Sequence, residues 1–321
     1  MHIRFWGTRG SLPVAPKAAT IADKVAEALF QAQGRSFASK DAALDFATGE
    51  LGFAVGQTYG GATSCVEIDP GSGAFVVCDM GSGLREFGLD SLRRLSEGGR
   101  AKEWHFFLSH LHWDHIMGFP FFVPAFVEGA KVIVHAGHAD AEEALRRQQE
   151  EISFPVPFDW LKAEIEFRTL TPGESYEIGE LMVDVIEQEH SHASYGFRFT
   201  DRAGRSAVYS TDAEYKIDRM DEEGAMVDFL AGADLVIADT MYSLADTVSM
   251  KEDWGHSSNI VAVDLCHEAG AKRLALFHHE PTYSDADIER MHRETIRYEE
   301  LARDGSALEV LCSYDGLCVE L

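Results

Sequence analysis

Short apolar runs bounded by turn residues recur along this chain, and between them lie stretches where apolar residues return every three or four positions. Residues 2–5 alternate and run into Gly7-Thr8-Arg9-Gly10-Ser11-Leu12-Pro13, which predicts a first strand and a turn. From residue 18 to about 56 the spacing turns helical, with Ile21, Val25, Ala28 and Leu29, then Ala43, Leu44 and Phe46 after a break at Gly34. A small helical insertion over about residues 17–57 is therefore expected. Strand signals resume at 64–69 and 74–79, joined through Pro70-Gly71-Ser72-Gly73, which reads as a hairpin turn. A helix carrying Leu84, Phe87, Leu92 and Leu95 follows, then a buried strand at 105–108, a strand at 132–135 and a helix over 140–149.

The second half repeats this style. Strands are expected at 164–169, 181–188, 196–200 and 206–210, then a helix over about 222–230 and a strand at 235–239. A helix over 259–269, a strand at 273–277, a polar helix over 285–303 and a closing hairpin over 308–321 complete the chain. Strands with interspersed helices in two comparable halves predict an α/β architecture of two sheets packed face to face with helices outside, in a single domain spanning residues 1–321.

The candidate chemistry lies directly after the buried strand. His110-Leu111-His112-Trp113-Asp114-His115 sets four metal-capable side chains within one short segment. In an extended loop His110 and His112 point the same way, and a turn into the next helix redirects Asp114 and His115, so the segment suits two ions. Burying that many imidazoles without a cation would waste desolvation energy. Two ions require further donors at strand ends, and the sequence supplies His190, Asp212 and His278 after apolar runs. A carboxylate bridges two cations where a neutral imidazole does not, which gives Asp212 the bridging role. His192 and His279 compete with His190 and His278 for their places, whereas His2, His105, His135, His138, His267 and His292 read as ordinary surface or core residues.

The ordered set of the 110–115 cluster, His190, Asp212 and His278 resembles the ligand set of the metallo-β-lactamase superfamily. Phe5-Trp6-Gly7-Thr8-Arg9-Gly10-Ser11, Tyr59-Gly60-Gly61-Ala62-Thr63-Ser64-Cys65 and Cys78-Asp79-Met80-Gly81-Ser82-Gly83 resemble its phosphodiesterase branch, which includes ribonuclease Z and phosphoribosyl cyclic-phosphate phosphodiesterase. Leu111 stands where a Thr is common, and Ala62 where an Asn is. The resemblance implies an αββα sandwich of two mixed sheets with metals at one edge. It also implies His110, His112 and His190 on one metal, Asp114, His115 and His278 on the other, and Asp212 between them. His256, in Trp254-Gly255-His256-Ser257-Ser258, matches the branch's catalytic histidine, and Asp79 matches an acid that orients a ligand without touching metal.

Composition narrows the function. Acidic residues outnumber basic ones 54 to 28, for a formal charge of −26, which repels polyanions. From Asp140 to Glu189 there are 14 acids against 4 bases, and only residues 191–211 fit where ribonuclease Z carries its substrate-gripping arm. No apolar run reaches membrane-spanning length, and no secretory signal precedes the first strand, so a cytoplasmic location is expected. The 5 cysteines show no CxxC spacing and read as reduced thiols.

Two bridged cations lower the pKa of a shared water and neutralise charge on a phosphoryl oxygen, with Asp114 and Asp212 holding the ions and a general acid helping an alkoxide leave. The expected function is hydrolysis of a small or cyclic phosphodiester with two divalent ions, zinc first and manganese or iron as alternatives. Rivals are a lactonase, thioesterase or β-lactamase on the same fold, a redox centre, and an idle scaffold. The expected partner is a small-molecule phosphodiester, with no long nucleic acid and no membrane, and a homodimer is left open. Phe154 to Trp160, broken by Pro155 and Pro157, is either a lid or an anchored loop.

Overall fold

The computed structural model describes residues 1–71, 73–215, 224–243 and 255–321. Ser72 of the expected turn, the start of the helix expected at 222 and Trp254 of the His256 motif lie outside them.

The period-two alternation of the strands builds three layers of side chains around two sheets. The first sheet runs in the order β14 (Cys318–Glu320), β1 (His2–Gly7), β2 (Cys65–Asp69), β3 (Gly73–Cys78), β4 (Arg100–Leu108), β5 (Lys131–Ala136) and β6 (Glu164–Thr169). The second runs β13 (Glu309–Cys312), β12 (Arg273–Phe277), β11 (Leu235–Asp239), β10 (Ser206–Ser210), β9 (Ser194–Asp201), β8 (Leu181–Gln188) and β7 (Ser175–Ile178). Each sheet is mixed, with an antiparallel part leading into a parallel one. Between the sheets, Val76, Cys78 and Phe107 pack against Phe197, Tyr209, Ile237 and Phe277. Their neighbours along the chain point outward: Phe75, Val77, Trp104 and Phe106 meet Leu84 and Phe87 of α4 (Leu84–Glu97) and Leu145 of α6 (Ala141–Gln148). On the far side, Val208, Val236, Leu274 and Leu276 meet Met226 and Leu230 of α7 (Gly224–Leu230) and Val261 and Leu265 of α8 (Asn259–Glu268). The αββα sandwich of two mixed sheets flanked by helices is thereby observed.

Three expectations need correction. The closing hairpin does not form: β13 pairs with β12 in the second sheet, whereas β14 crosses to pair with β1 in the first. Two short apolar runs around a turn look like a hairpin locally, but each finds a longer-range edge to cover. Strand β4 begins at Arg100, five residues before the apolar run, because its polar start pairs with β3 and β5 outside the core. Edge strand β7 was not foreseen, since only Ile178 of it is buried.

Residues 18–56 form α1 (Ala18–Gln31), α2 (Lys40–Gly49) and α3 (Phe53–Gly56). The stripe Ile21, Val25 and Leu29 of α1 is exposed, while Lys24 turns inward to the Gln57 carbonyl and to Asp285 at the start of α9 (Asp285–Ala302).

A buried pair links β4 and β5 far from the 110–115 cluster. His105 Nδ1 and His135 Nε2 lie 2.9 Å apart, and His105 Nε2 meets Glu103 at 2.8 Å. Burial, with the neighbouring His105, pushes the His135 imidazole down to about 3. An unfolded histidine titrates near ~6.5, so below that pH the unfolded chain takes up a proton that the native chain refuses. Stability therefore rises with pH between about 3 and 6.5, by up to about 1.4 kcal/mol per pH unit from this group. Urea midpoints should fall from pH 7 to pH 5, and less steeply in His135→Leu; equal slopes would contradict the assignment.

Candidate metal centre

The site residues named from the sequence follow the C-terminal ends of strands, along one edge of the sandwich. Asp79 follows β3, His110 follows β4, His190 follows β8, Asp212 follows β10 and His278 follows β12. Asp79, Asp212 and His278 adopt left-handed backbone, with φ of 60°, 48° and 62°. Asp and His are enriched there among non-glycine residues, and strain of this kind gathers at functional sites. The turn swings each side chain from the strand's path toward the edge. Single-turn α5 (Trp113–Ile116) does the same for Asp114 and His115.

The side chains converge. His110, His112, His190 and Asp212 form one group, and Asp114, His115 and His278 another, with ligand atoms in each within 4.8 Å. Asp212 faces both: its Oδ2 lies 3.6 Å from His110 Nε2 and 3.7 Å from His190 Nε2, and its Oδ1 lies 3.2 Å from His115 Nε2 and 3.3 Å from His278 Nε2. Asp114 Oδ2 lies 3.2 Å from His115 Nε2 and 3.3 Å from His278 Nε2, and accepts the Ser11 backbone N–H at 2.8 Å.

Hydrogen bonds on the far side of the rings orient them. His190 donates from Nδ1 to the Gly255 carbonyl at 2.7 Å, and a Cβ on Gly255 (φ 81°) would lie 2.4 Å from that nitrogen. His115 donates from Nδ1 to Asp79 at 2.7 Å. Asp79 also accepts from the Ser109 backbone N–H and hydroxyl, each at 2.8 Å, and from the Tyr209 hydroxyl at 2.7 Å. Fixing Nδ1 as the donor leaves Nε2 with a lone pair facing the site. Asp79→Asn should weaken metal affinity by ~10–100-fold, the range for lost partners of a ligand, with Tyr209→Phe milder. Chelator competition measures this; unchanged affinity in Asp79→Asn would detach the network from the centre.

The residues fit divalent metal. Among the described residues buried His110 Nε2 has no hydrogen-bond partner, and the Nε2 atoms of His115 and His278 face each other at 3.3 Å beside two carboxylates. Burial, together with neighbouring imidazoles, lowers the pKa of His110, His112 and His190, which favours the neutral, ligating form. Burial works against the Asp212 carboxylate, yet His278, His115 and His110 hold its pKa well below the usual range. Burial likewise opposes a proton on His115, but Asp212, Asp114 and Asp79 outweigh it and hold its pKa well above the usual range. A cation in place of that proton satisfies the same carboxylates. Imidazole and carboxylate donors without thiolate suit zinc, manganese or iron.

Of the competing histidines, His279 turns away to the Ser313 carbonyl at 2.8 Å, and the His192 ring lies 6.4 Å from that of His112 at the periphery. His256 Nδ1 donates to Asp239 Oδ2 at 2.7 Å and lies 4.0 Å from Asp212 Oδ2. Burial opposes its proton, but Asp239, then Asp212, push the pKa up to about 9. With Asp212 and His278 it also makes a third grouping of ligand atoms within 4.8 Å. Asp239 was missed by the sequence reading, though it ends an apolar strand just as Asp212 and His278 follow theirs. Ser109 and Tyr209 carry no such signal.

A model of the family described as beta-lactamase superfamily domain matches residues 76–279, more than half of the chain. The chain belongs to this family. The matched span holds all seven donors, Asp79 and His256. A ribonuclease Z from Oceanobacillus iheyensis is 24% identical over 256 residues, covering 64% of this chain and 81% of that protein. Among solved structures, the metallo-beta-lactamase fold protein YhfI from Bacillus subtilis matches at TM-score 0.63 and 17% identity, covering 99% of both chains. A diphosphatase from the PhnP family matches at TM-score 0.59 and 19% identity, covering 100% of this chain and 97% of that one. As a member of this superfamily the chain is a metal-dependent hydrolase. Among the described residues no helix is long and apolar enough to cross a membrane. The expected exclusion of long nucleic acid gains no support from these relatives, one of which is named a ribonuclease.

Proposed function

We propose that this superfamily member hydrolyses a small or cyclic phosphodiester at a two-metal centre. The observation that carries the reading is the division of Asp212, one oxygen toward His110 and His190 and the other toward His115 and His278. Such a carboxylate is placed to join two cations, with His110, His112 and His190 holding one and Asp114, His115 and His278 the other. Two divalent ions, zinc first and manganese or iron as alternatives, would supply an activated water and Lewis-acid stabilisation of phosphoryl charge.

The chain's own residues do the rest. Asp79, Ser109 and Tyr209 hold the His115 ring, and the Gly255 carbonyl holds His190. His256, charged by Asp239, is the proton donor to the leaving oxygen. The charge of −26, with 14 acids against 4 bases over residues 140–189, supports a small substrate over a long polyanion.

A screen of the metal-replete protein tests this, with cyclic nucleotides, ribosyl cyclic phosphate, aryl diesters, precursor tRNA, lactones and a chromogenic β-lactam. Turnover of the small diesters with a reproducible metal ratio near two per chain is expected. Efficient cleavage of precursor tRNA would overturn the substrate size, a ratio fixed near one would overturn the two-ion centre, and preference for a lactone or lactam would overturn the phosphodiester.

A further inference from the structure

The surface beside the metal loop holds a cavity of about 550 Å³ lined by Leu111, Trp113, Met117, Phe121 and Phe154, with Arg147 also in its wall. Leu111 and Trp113 of its wall are chain neighbours of His110, His112 and Asp114, so the cavity borders the segment that carries these candidate donors. Trp113 is 66% exposed and Phe121 53%. Phe121 and Phe154 meet edge to face at 5.4 Å. In a chain with 54 acidic residues, no carboxylate is among the residues that line this cavity. Arg147, the one cation among the described residues of its wall, is paired with Glu143 one helix turn away. The cavity thus offers apolar and aromatic surface without net charge.

We propose that this cavity is a substrate subsite that takes an uncharged planar aromatic group esterified to the phosphate. The proposal rests on the phosphodiesterase reading and narrows it to aromatic-bearing diesters. Three features select that occupant. Its wall shares the segment 110–117 with the candidate donors, which sets the aromatic group of a bound ester beside the loop toward which its phosphate would extend. Its wall presents Trp113, Phe121 and Phe154, whose rings pack against a flat ring in offset or edge geometry. Its neutrality neither attracts nor repels an uncharged group, while the anionic phosphate stays at the cationic centre. The volume falls within the ~300–1,000 Å³ of ligand pockets and accommodates a fused two-ring group.

The test uses the metal-replete full chain and two readouts. In equilibrium dialysis, naphthyl methyl phosphate should bind ~10–100-fold tighter than dimethyl phosphate, the gain expected from burying one ring system. Phe154→Ala and, separately, Phe121→Ala should erase most of that advantage and leave dimethyl phosphate binding unchanged. In turnover followed by phosphorus NMR, naphthyl methyl phosphate should show a lower KM than dimethyl phosphate, and only the former should change in the variants. Equal binding of the two phosphates, an equal advantage for an octyl ester, or a preference that survives both variants would overturn the subsite. A change of oligomeric state in Phe154→Ala without any change in ester preference would assign the surface to a chain contact instead. Preferential naphthyl binding with no hydrolysis of any diester would leave the subsite standing and remove the phosphodiesterase reading.

Discussion

Asp212→Ala is expected to give a folded protein that has lost most of its metal and at least ~10³-fold of its kcat/KM, a loss of about 4 kcal/mol of transition-state stabilisation. The reason is the position of its carboxylate, which is buried and turned toward both donor groups. Its two oxygens divide between His110 and His278. Removing it leaves His110, His115, His190 and His278 without the anion around which they are arranged. The left-handed backbone at residue 212 makes Asp212→Asn the companion variant, since Asn adopts that conformation readily while offering no charge. Elemental analysis, with circular dichroism to confirm folding, measures the outcome. Asp212→Asn should match Asp212→Ala in metal loss and exceed it in thermal stability. Wild-type metal content together with more than a tenth of the activity would remove Asp212 from the centre.

For His256→Ala the expected pattern is different. Metal content should stay at the wild-type level, and the loss of activity should depend on the leaving group. A positioned acid is worth ~10²–10⁴-fold, and most where the departing oxygen is basic. Activity on an alkyl or ribosyl diester should therefore collapse, while an activated nitrophenyl diester should lose about tenfold or less. Asp239→Asn should show the same trend more weakly, because Asp239 acts by holding the charge and orientation of His256. Uniform loss on both substrates, with loss of metal, would make His256 a ligand through its grouping with Asp212 and His278.

The convergence of the candidate donors was legible because their signal is local. The cluster from His110 to His115 is dense, and His190, Asp212 and His278 follow apolar strands, where sheet edges present side chains. The alternation of Phe106, Phe107 and Leu108, or of Val208 and Tyr209, likewise marks the two faces of each strand. What stayed hidden depends on partners distant in sequence. The Tyr209 hydroxyl reaches Asp79 across 130 positions, and nothing near Tyr209 distinguishes it from a core tyrosine. Asp239 and His256 pair across residues 240–255, and neither shows in sequence that the other is beside it. The closing strands misled for the same reason: a turn between β13 and β14 suggests mutual pairing, while their edges belong to different sheets.

The first sheet contributes His110, His112, Asp114 and His115, and the second contributes His190, Asp212 and His278. A growing chain therefore exposes its early donors long before the later ones have been made. Contacts across such separations form slowly, because the intervening loop must close before any contact rewards it. Completion of the candidate centre is tied in this way to the docking of the two halves, since each half supplies residues that the other cannot replace.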